Sequence, residues 1–434
     1  MTFFAMRTLP MLEGVREPAA VPNKQREQAL AQMENARAKV GKRFSRCASA
    51  LILLLSAVVF LWAYGHAQET EPIAQSTVIS GIQYEKGEVL AIVSEYYQGD
   101  QNVEDVPVGN QVVTVEITSG DHAGERYDLK NNLSYLYGTM LEVGDDVTVS
   151  FSLTEGEIDS IQLQDYDRTS PLLLVLLAFI VITVLIGGKV GAKSLLGLGL
   201  TILCLFAVLI PLLLQGWPTI PTVLGMCALV TVVEFTILGG VSKKITCAIL
   251  GTISGVVFAA LFGQLACSLL RVNGFQMYSA EPTIEALLQI KQTQDTMHSI
   301  QIGDLLVGCI LIAALGAVND VAMSISSAMN ELICVNPNLS RKELFKSGMN
   351  IGRDMVGTMT NTLILALVGG GLILMIYLTS LTPSLPQLMS SSYLAVEMVQ
   401  AIASSVGVIL AVPLSVVIGM VLFGRPLHRK KTGT

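Results

Sequence analysis

Two segments set carboxylates, amides and hydroxyls inside otherwise apolar stretches: Gly316-Ala317-Val318-Asn319-Asp320-Val321-Ala322-Met323-Ser324 and Arg353-Asp354-Met355-Val356-Gly357-Thr358-Met359-Thr360-Asn361-Thr362. A carboxylate at the centre of a membrane helix costs roughly 2.5–3.5 kcal/mol on the insertion scale, so such groups face a bundle interior or an aqueous cavity. The chemistry open to them is proton exchange or cation binding, with Asp320 as the titrating or ion-binding group. Positions spaced by one, two or three helical turns share a face. Gly316, Asp320, Ser324, Ser327 and Glu331 form such a face, with Asn319, Ser326 and Asn330 on the next stripe. Asn350, Asp354, Gly357 or Thr358, and Asn361 repeat the pattern, with Arg353 and Thr360 beside them. Consecutive helices tend to be neighbours, so the two polar faces are expected to pack together, antiparallel. Asn319, Ser324, Thr358 and Asn361 would then support Asp320, with Arg353 as its charge partner. The blander role of the Ser, Thr and Gly residues is interhelical glue, and that of Arg353 and Asp354 is interfacial anchoring and capping.

Glu234, within Thr231-Val232-Val233-Glu234-Phe235-Thr236, is the other acid well inside an apolar run. It would complete a carboxylate pair with Asp320 or accept a hydrogen bond while protonated. Glu397, Gln400 and Ser404 share a face near the end of the chain, and Gly251-Thr252-Ile253-Ser254-Gly255 has the Gly-x-x-x-Gly spacing of close helix contacts. The chain has no P-loop, nucleophile elbow, zincin motif or dinucleotide fingerprint. No nucleophile and base pair can be assigned, which argues against an enzyme. Seven Cys and four His are scattered without metal-site spacing, and no cofactor is expected.

The elements that must position these residues are membrane helices. With 52% hydrophobic and 14% charged residues over 434 positions, the composition is that of a polytopic α-helical membrane protein. Runs long enough to cross about 30 Å of hydrocarbon lie at residues 44–64, 171–188, 194–214, 220–240, 245–270, 303–323, 355–377 and 396–423. This predicts about eight transmembrane helices. Basic residues cluster on one side: Lys39, Lys42, Arg43 and Arg46; Lys189 and Lys193; Lys243 and Lys244; Arg341, Lys342, Lys346 and Arg353; and Arg425, Arg429, Lys430 and Lys431. By the positive-inside rule both termini are cytoplasmic. The alternative at the first span is signal-peptidase cleavage after Ala67. Residues 1–43 read as a partly disordered cytoplasmic region, 171–425 as a seven-helix membrane domain and 426–434 as a basic cytoplasmic tail.

Residues 68–168 change character to short alternating runs separated by Gly, Asp and Asn. Runs at 89–93, 111–117, 126–129, 146–151 and 158–163 predict a small all-β extracytoplasmic barrel, OB-like or SH3-like, between the first and second spans. It carries twenty acidic and four basic residues, which opposes nucleic-acid binding. The acidity is either a solvated surface, a means of capturing cations, or a docking site for a basic protein partner.

Three stretches carry a family resemblance: residues 316–332, residues 347–354 (Ser347-Gly348-Met349-Asn350-Ile351-Gly352-Arg353-Asp354) and residues 357–366. In these the chain resembles the YibE/YibF-like bacterial membrane proteins, from the barrel to the C-terminus. Asn319 departs from the Met expected before the Asp. The resemblance implies a multi-pass protein of the bacterial cell membrane and brings no substrate. A fainter likeness, in Asn319-Asp320 and Thr358 to Thr362, is to the membrane halves of the Sec-accessory and resistance-nodulation-division superfamily, where membrane carboxylates couple to the proton-motive force. The expected function is a secondary transporter or permease, ion- or proton-coupled, moving a small solute or ion across the lipid bilayer. The alternative is a non-transporting assembly or accessory factor whose exported domain binds a partner.

Overall fold

The computed structural model describes residues 48–65, 82–99, 107–134, 138–154, 157–277, 301–381 and 384–424. The N-terminal region, the cleavage position after Ala67 and the basic tail lie outside them. The chain divides into two compact units, one of Phe60–Pro218 with Leu288–Ile300 and one of the remainder. Helix α1 spans Ala48–Gly65.

The first unit contains five strands: β1 Ile82–Gly99, β2 Pro107–Ile117, β3 Arg126–Leu133, β4 Asp146–Thr154 and β5 Glu157–Tyr166. They form one antiparallel sheet in the order β3-β2-β1-β4-β5, curled into a nearly closed barrel. A nearly closed five-stranded antiparallel barrel is the small all-β barrel expected from the alternation. Strand alternation sends Val89, Val113, Val115, Ile117, Leu129, Val147, Val149 and Phe151 inward as the core, sealed by Leu141. Gly87 lets β1 cross β2 closely, since a Cβ there would lie 2.4 Å from Val115 Cγ1.

The barrel runs directly into helix α2, Thr169–Cys204. Asp167, buried at the joint, pairs with Lys86 Nζ at 2.6 Å and accepts from the Thr169 N–H at 2.9 Å. The Lys86 ammonium and the Thr169 contacts push the Asp167 carboxyl down to about 2. Arg168 extends the lock by donating to Asp165 and Thr139, and its guanidinium holds the Asp165 carboxyl below the usual range.

Helix α2 continues through a π-turn into α3, Ile210–Leu214, giving 46 residues of helix where two spans are expected. Gly188 breaks it, with φ 54° and ψ −135°. A Cβ on Gly191 would lie 2.4 Å from Thr183 O, so the chain bends sharply at this point. Eight residues of straight helix would separate such positions by about 12 Å.

The second unit is a helical bundle of α4 Thr219–Gly239, α5 Lys243–Leu270, α6 Leu305–Val335, α7 Arg341–Gly370, α8 Leu372–Leu381, α9 Leu385–Met389 and α10 Ser392–Phe423. Among the described residues, six helices are long and apolar enough to cross a membrane. The bent pair α7 and α8, which meet at 62°, makes seven, against the eight expected. The bend falls at Gly369-Gly370-Gly371, inside the expected 355–377 span. Three consecutive glycines contribute neither side-chain packing nor helix propensity to hold it straight.

Helices α5, α6 and α10 form the core, with α4 against α5 and α6, and α7 against α10 and α6. Small residues permit the close approach. A Cβ on Gly255 would meet Val318 and Ala411, and one on Gly251 would meet Ser415 and Ala322. This is the helix contact that the Gly-x-x-x-Gly spacing predicts.

Candidate functional site

Helix α4 presents Glu234 towards α6, where the buried Asn319 donates from Nδ2 to Glu234 Oε2 at 3.2 Å. The next residue, Asp320, is exposed. Asn319 thus joins α6 to α4 through Glu234, which accepts a hydrogen bond. The other amide atom of Asn319, Oδ1, is buried and has no partner among the described residues. Ser324, one turn beyond Asp320, is also exposed.

Helix α7 does not bring its polar residues to this cluster. Its buried face is Leu344, Gly348 and Gly352. A Cβ on Gly352 would meet Val412 at 2.3 Å, and one on Gly348 would meet Val416 and Met329 near 3 Å. This small-residue face packs on α10 and α6 and turns Arg353, Asp354, Thr358 and Asn361 outwards, all of them exposed. The expected packing of the two polar faces against each other is therefore corrected. Glycines at a four-residue spacing let backbones approach, and that contact decides which face is covered. Arg353 forms no ion pair with Asp320 among the described residues. Thr358 and Thr362 bond back to carbonyls of their own helix, at Met355 and Thr358.

Two buried polar residues of the bundle, Ser405 and Ser415, were not singled out from sequence. Among the described residues, Thr236, Thr252, Thr360 and Ser415 each bury a hydroxyl oxygen with no partner. Others are satisfied in the ordinary way: Thr231 and Ser405 donate to the carbonyls of Cys227 and Ala401, and Ser404 donates across to Ile310 O at 3.3 Å. Ser404 is therefore interhelical glue. Glu397 lies beside the break between α7 and α8, its Oε2 3.5 Å from where a Gly371 Cβ would sit. Among the described residues, no three His, Cys, Asp or Glu side chains gather closely enough to hold a metal ion.

Long apolar helices carrying exposed carboxylates, with a small barrel joined to one of them, define a multi-helix membrane protein with polar groups set into its helical bundle. The YibE/F-like protein family matches residues 175–425, more than half of the 434. The chain belongs to that family. The match begins within α2, so the barrel lies outside it, although the likeness was expected to include the barrel. No curated protein and no solved structure matches the chain.

Proposed function

We propose that the chain is a secondary transporter or permease, coupled to protons or another cation, with Glu234, Asn319 and Asp320 as the coupling site. One observation carries this reading. Among the described residues, Asp320 stands exposed and makes no hydrogen bond on an apolar helix, next in sequence to Asn319 of the Glu234–Asn319 contact. Lipid does not tolerate such a group, so it needs water, an ion or a proton. Ser324, one turn from Asp320, lines the site, Arg353 and Asp354 are interfacial, and Thr358 and Asn361, on the outward face of α7, stand apart from it.

Eight spans in a bacterial plasma membrane, with both termini cytoplasmic and residues 68–168 extracytoplasmic, fit the helix geometry. At about 1.5 Å per residue, Thr169–Leu214 measures more than twice the roughly 30 Å hydrocarbon thickness, and the Gly188 break divides it into two spans. Ser49, at the start of α1, accepts from Val241 N at 3.0 Å between α4 and α5. Arg341, at the start of α7, lies beside Gly424, at the end of α10. These pairs gather the basic ends of α1, α4, α7 and α10 pairwise, as a shared cytoplasmic side requires.

Proton flux in proteoliposomes tests the reading, with a trapped pH dye, an imposed potential and a series of external cations. Wild type should conduct or exchange, while Asp320→Asn and Glu234→Gln should be strongly impaired. Absence of flux in wild type under every gradient would remove ion coupling. The second reading, an accessory factor whose barrel holds a partner, draws on the strand edge described next.

A further inference from the structure

Strand β1 changes neighbours along its length. Its first part pairs with β4, from Ile82 to Glu88, and its later part pairs with β2, from Gly87 to Gly99. Val89 is the last residue bonded on the β4 side, through Asp145 O and Gly144 N. Beyond it, among the described residues, β1 has backbone partners on the β2 side alone. Among the described residues, the outward N–H and C=O groups of residues 90–99 form an open edge.

Natural edges are blunted by Lys, Pro or bulges. Residues 90–99 contain neither Lys nor Pro. Register shifts interrupt β1 between Val89 and Ala91 and between Ile92 and Ser94, leaving Ser94 to Gly99 in regular extension. Both faces of this part are exposed: Tyr96 is 69% accessible and Tyr97 42%, on opposite sides of the strand. Glu95 accepts from Gln111 Nε2 at 2.9 Å and stays exposed. From residue 87 to residue 125 the chain carries eight carboxylates and no Lys or Arg.

We propose that the free edge of β1, from Ser94 to Gly99, is a docking site for an extended, basic segment of a partner protein, which adds as a further strand. Backbone pairing supplies affinity without sequence demands, and alternate side chains supply specificity. Lys or Arg residues on one face of the added strand meet Glu95 and Tyr97, and a residue on the other face covers Tyr96. Cations over tyrosine rings and near carboxylates gain from both interactions. A second copy of this acidic surface would instead meet like charge. The proposal is independent of the transport reading.

The test uses the full chain in nanodiscs, with hydrogen exchange read by mass spectrometry over residues 90–99. The probe is an acetylated decapeptide of alternating Lys and Val. Controls are its Glu/Val counterpart and a version with Pro at alternate positions. The outward amides of Ser94 to Gly99 should exchange readily in the free protein and slow by about tenfold or more with the Lys/Val peptide. Neither control should slow them, and Glu95→Lys should weaken the effect. Three results would overturn the proposal: outward amides already protected without peptide, binding of the Lys/Val peptide without added protection, or equal protection by the acidic peptide.

Discussion

The barrel and the helical bundle treat buried polar groups in opposite ways. In the barrel, Gln111 is fully buried and makes four hydrogen bonds: it donates to Glu95 and Leu141 O, and accepts from Asn131 and from Leu141 N. Asp167 is buried against Lys86 and Thr169. Glu85 holds Asp121 N and His122 through one oxygen, and its second oxygen is the barrel's exception among the described residues, buried and unpartnered. In the bundle, among the described residues, unpartnered oxygens recur at Thr236, Thr252, Asn319, Thr360 and Ser415. Polar residues that complete networks specify a fold, whereas those left open cost stability and point to function. The barrel's buried polar residues fit a structural role, and the Glu234–Asn319–Asp320 cluster is the site proposed above for ion coupling.

The largest effect belongs to Gln111→Leu, which takes their Gln111 partner from the Leu141 N–H and C=O and leaves Asn131 with Thr139 O, in a buried core. A loss of about 3 kcal/mol or more in barrel stability is expected. The urea midpoint of the full chain, with amide exchange at residues 138–142, would show it. A smaller change would mean that the network is dispensable.

Gly255→Leu tests packing in the bundle, because its Cβ alone would meet Val318 Cγ1 at 2.7 Å and Ala411 Cβ at 2.8 Å. A cost of about 1–3 kcal/mol should appear as a lower melting temperature in detergent. Retention of the wild-type melting temperature would contradict the close α5–α6–α10 contact.

Asp167→Asn removes the charge that ties the barrel to α2. The native carboxyl sits at about 2, below its ordinary 3.8. Its contribution is therefore fully present above the ordinary carboxylate range and lost as pH falls through about 4 to 2. The variant should lose about 1–2 kcal/mol at neutral pH and show a flatter stability profile across that acid window. A profile identical to that of wild type would break the assignment.

Ser340→Ala should cost about 1 kcal/mol. Ser340 and Glu343 form a reciprocal capping box at the start of α7, with Ser340 N donating to Glu343 Oε2 at 2.9 Å and Glu343 N to Ser340 Oγ at 3.2 Å. Amide exchange at residues 341–344 is the readout. Unchanged exchange there would show that the helix start is held by packing alone.

The strands were legible because alternation at Gln111 to Ile117 or Asp146 to Phe151 leaves one face apolar, and only a sheet uses that period. The strand order and the open β1 edge were not, since they depend on which strands meet across the barrel. In the bundle, apolar length located the helices, but Gly188 and Gly371 break them in ways hydropathy does not register. The polar stripe of α7 was read correctly as a stripe and placed on the wrong side. Gly348 and Gly352 compete for the same neighbour, and close packing prevails. Glu234 and Asn319 meet across non-consecutive helices, a contact that periodicity within either segment cannot reveal.

Asp320→Asn should have the smallest effect on stability and the largest on function, so measuring both on one preparation tests the central claim most directly. Reconstituted wild type and variant would be compared for melting temperature and for proton or cation flux. The account predicts a melting temperature changed by no more than about 2 °C, because Asp320 makes no hydrogen bond or ion pair among the described residues, together with loss of flux. A variant that melts several degrees lower while carrying the same flux as wild type would show that Asp320 packs the bundle and couples nothing.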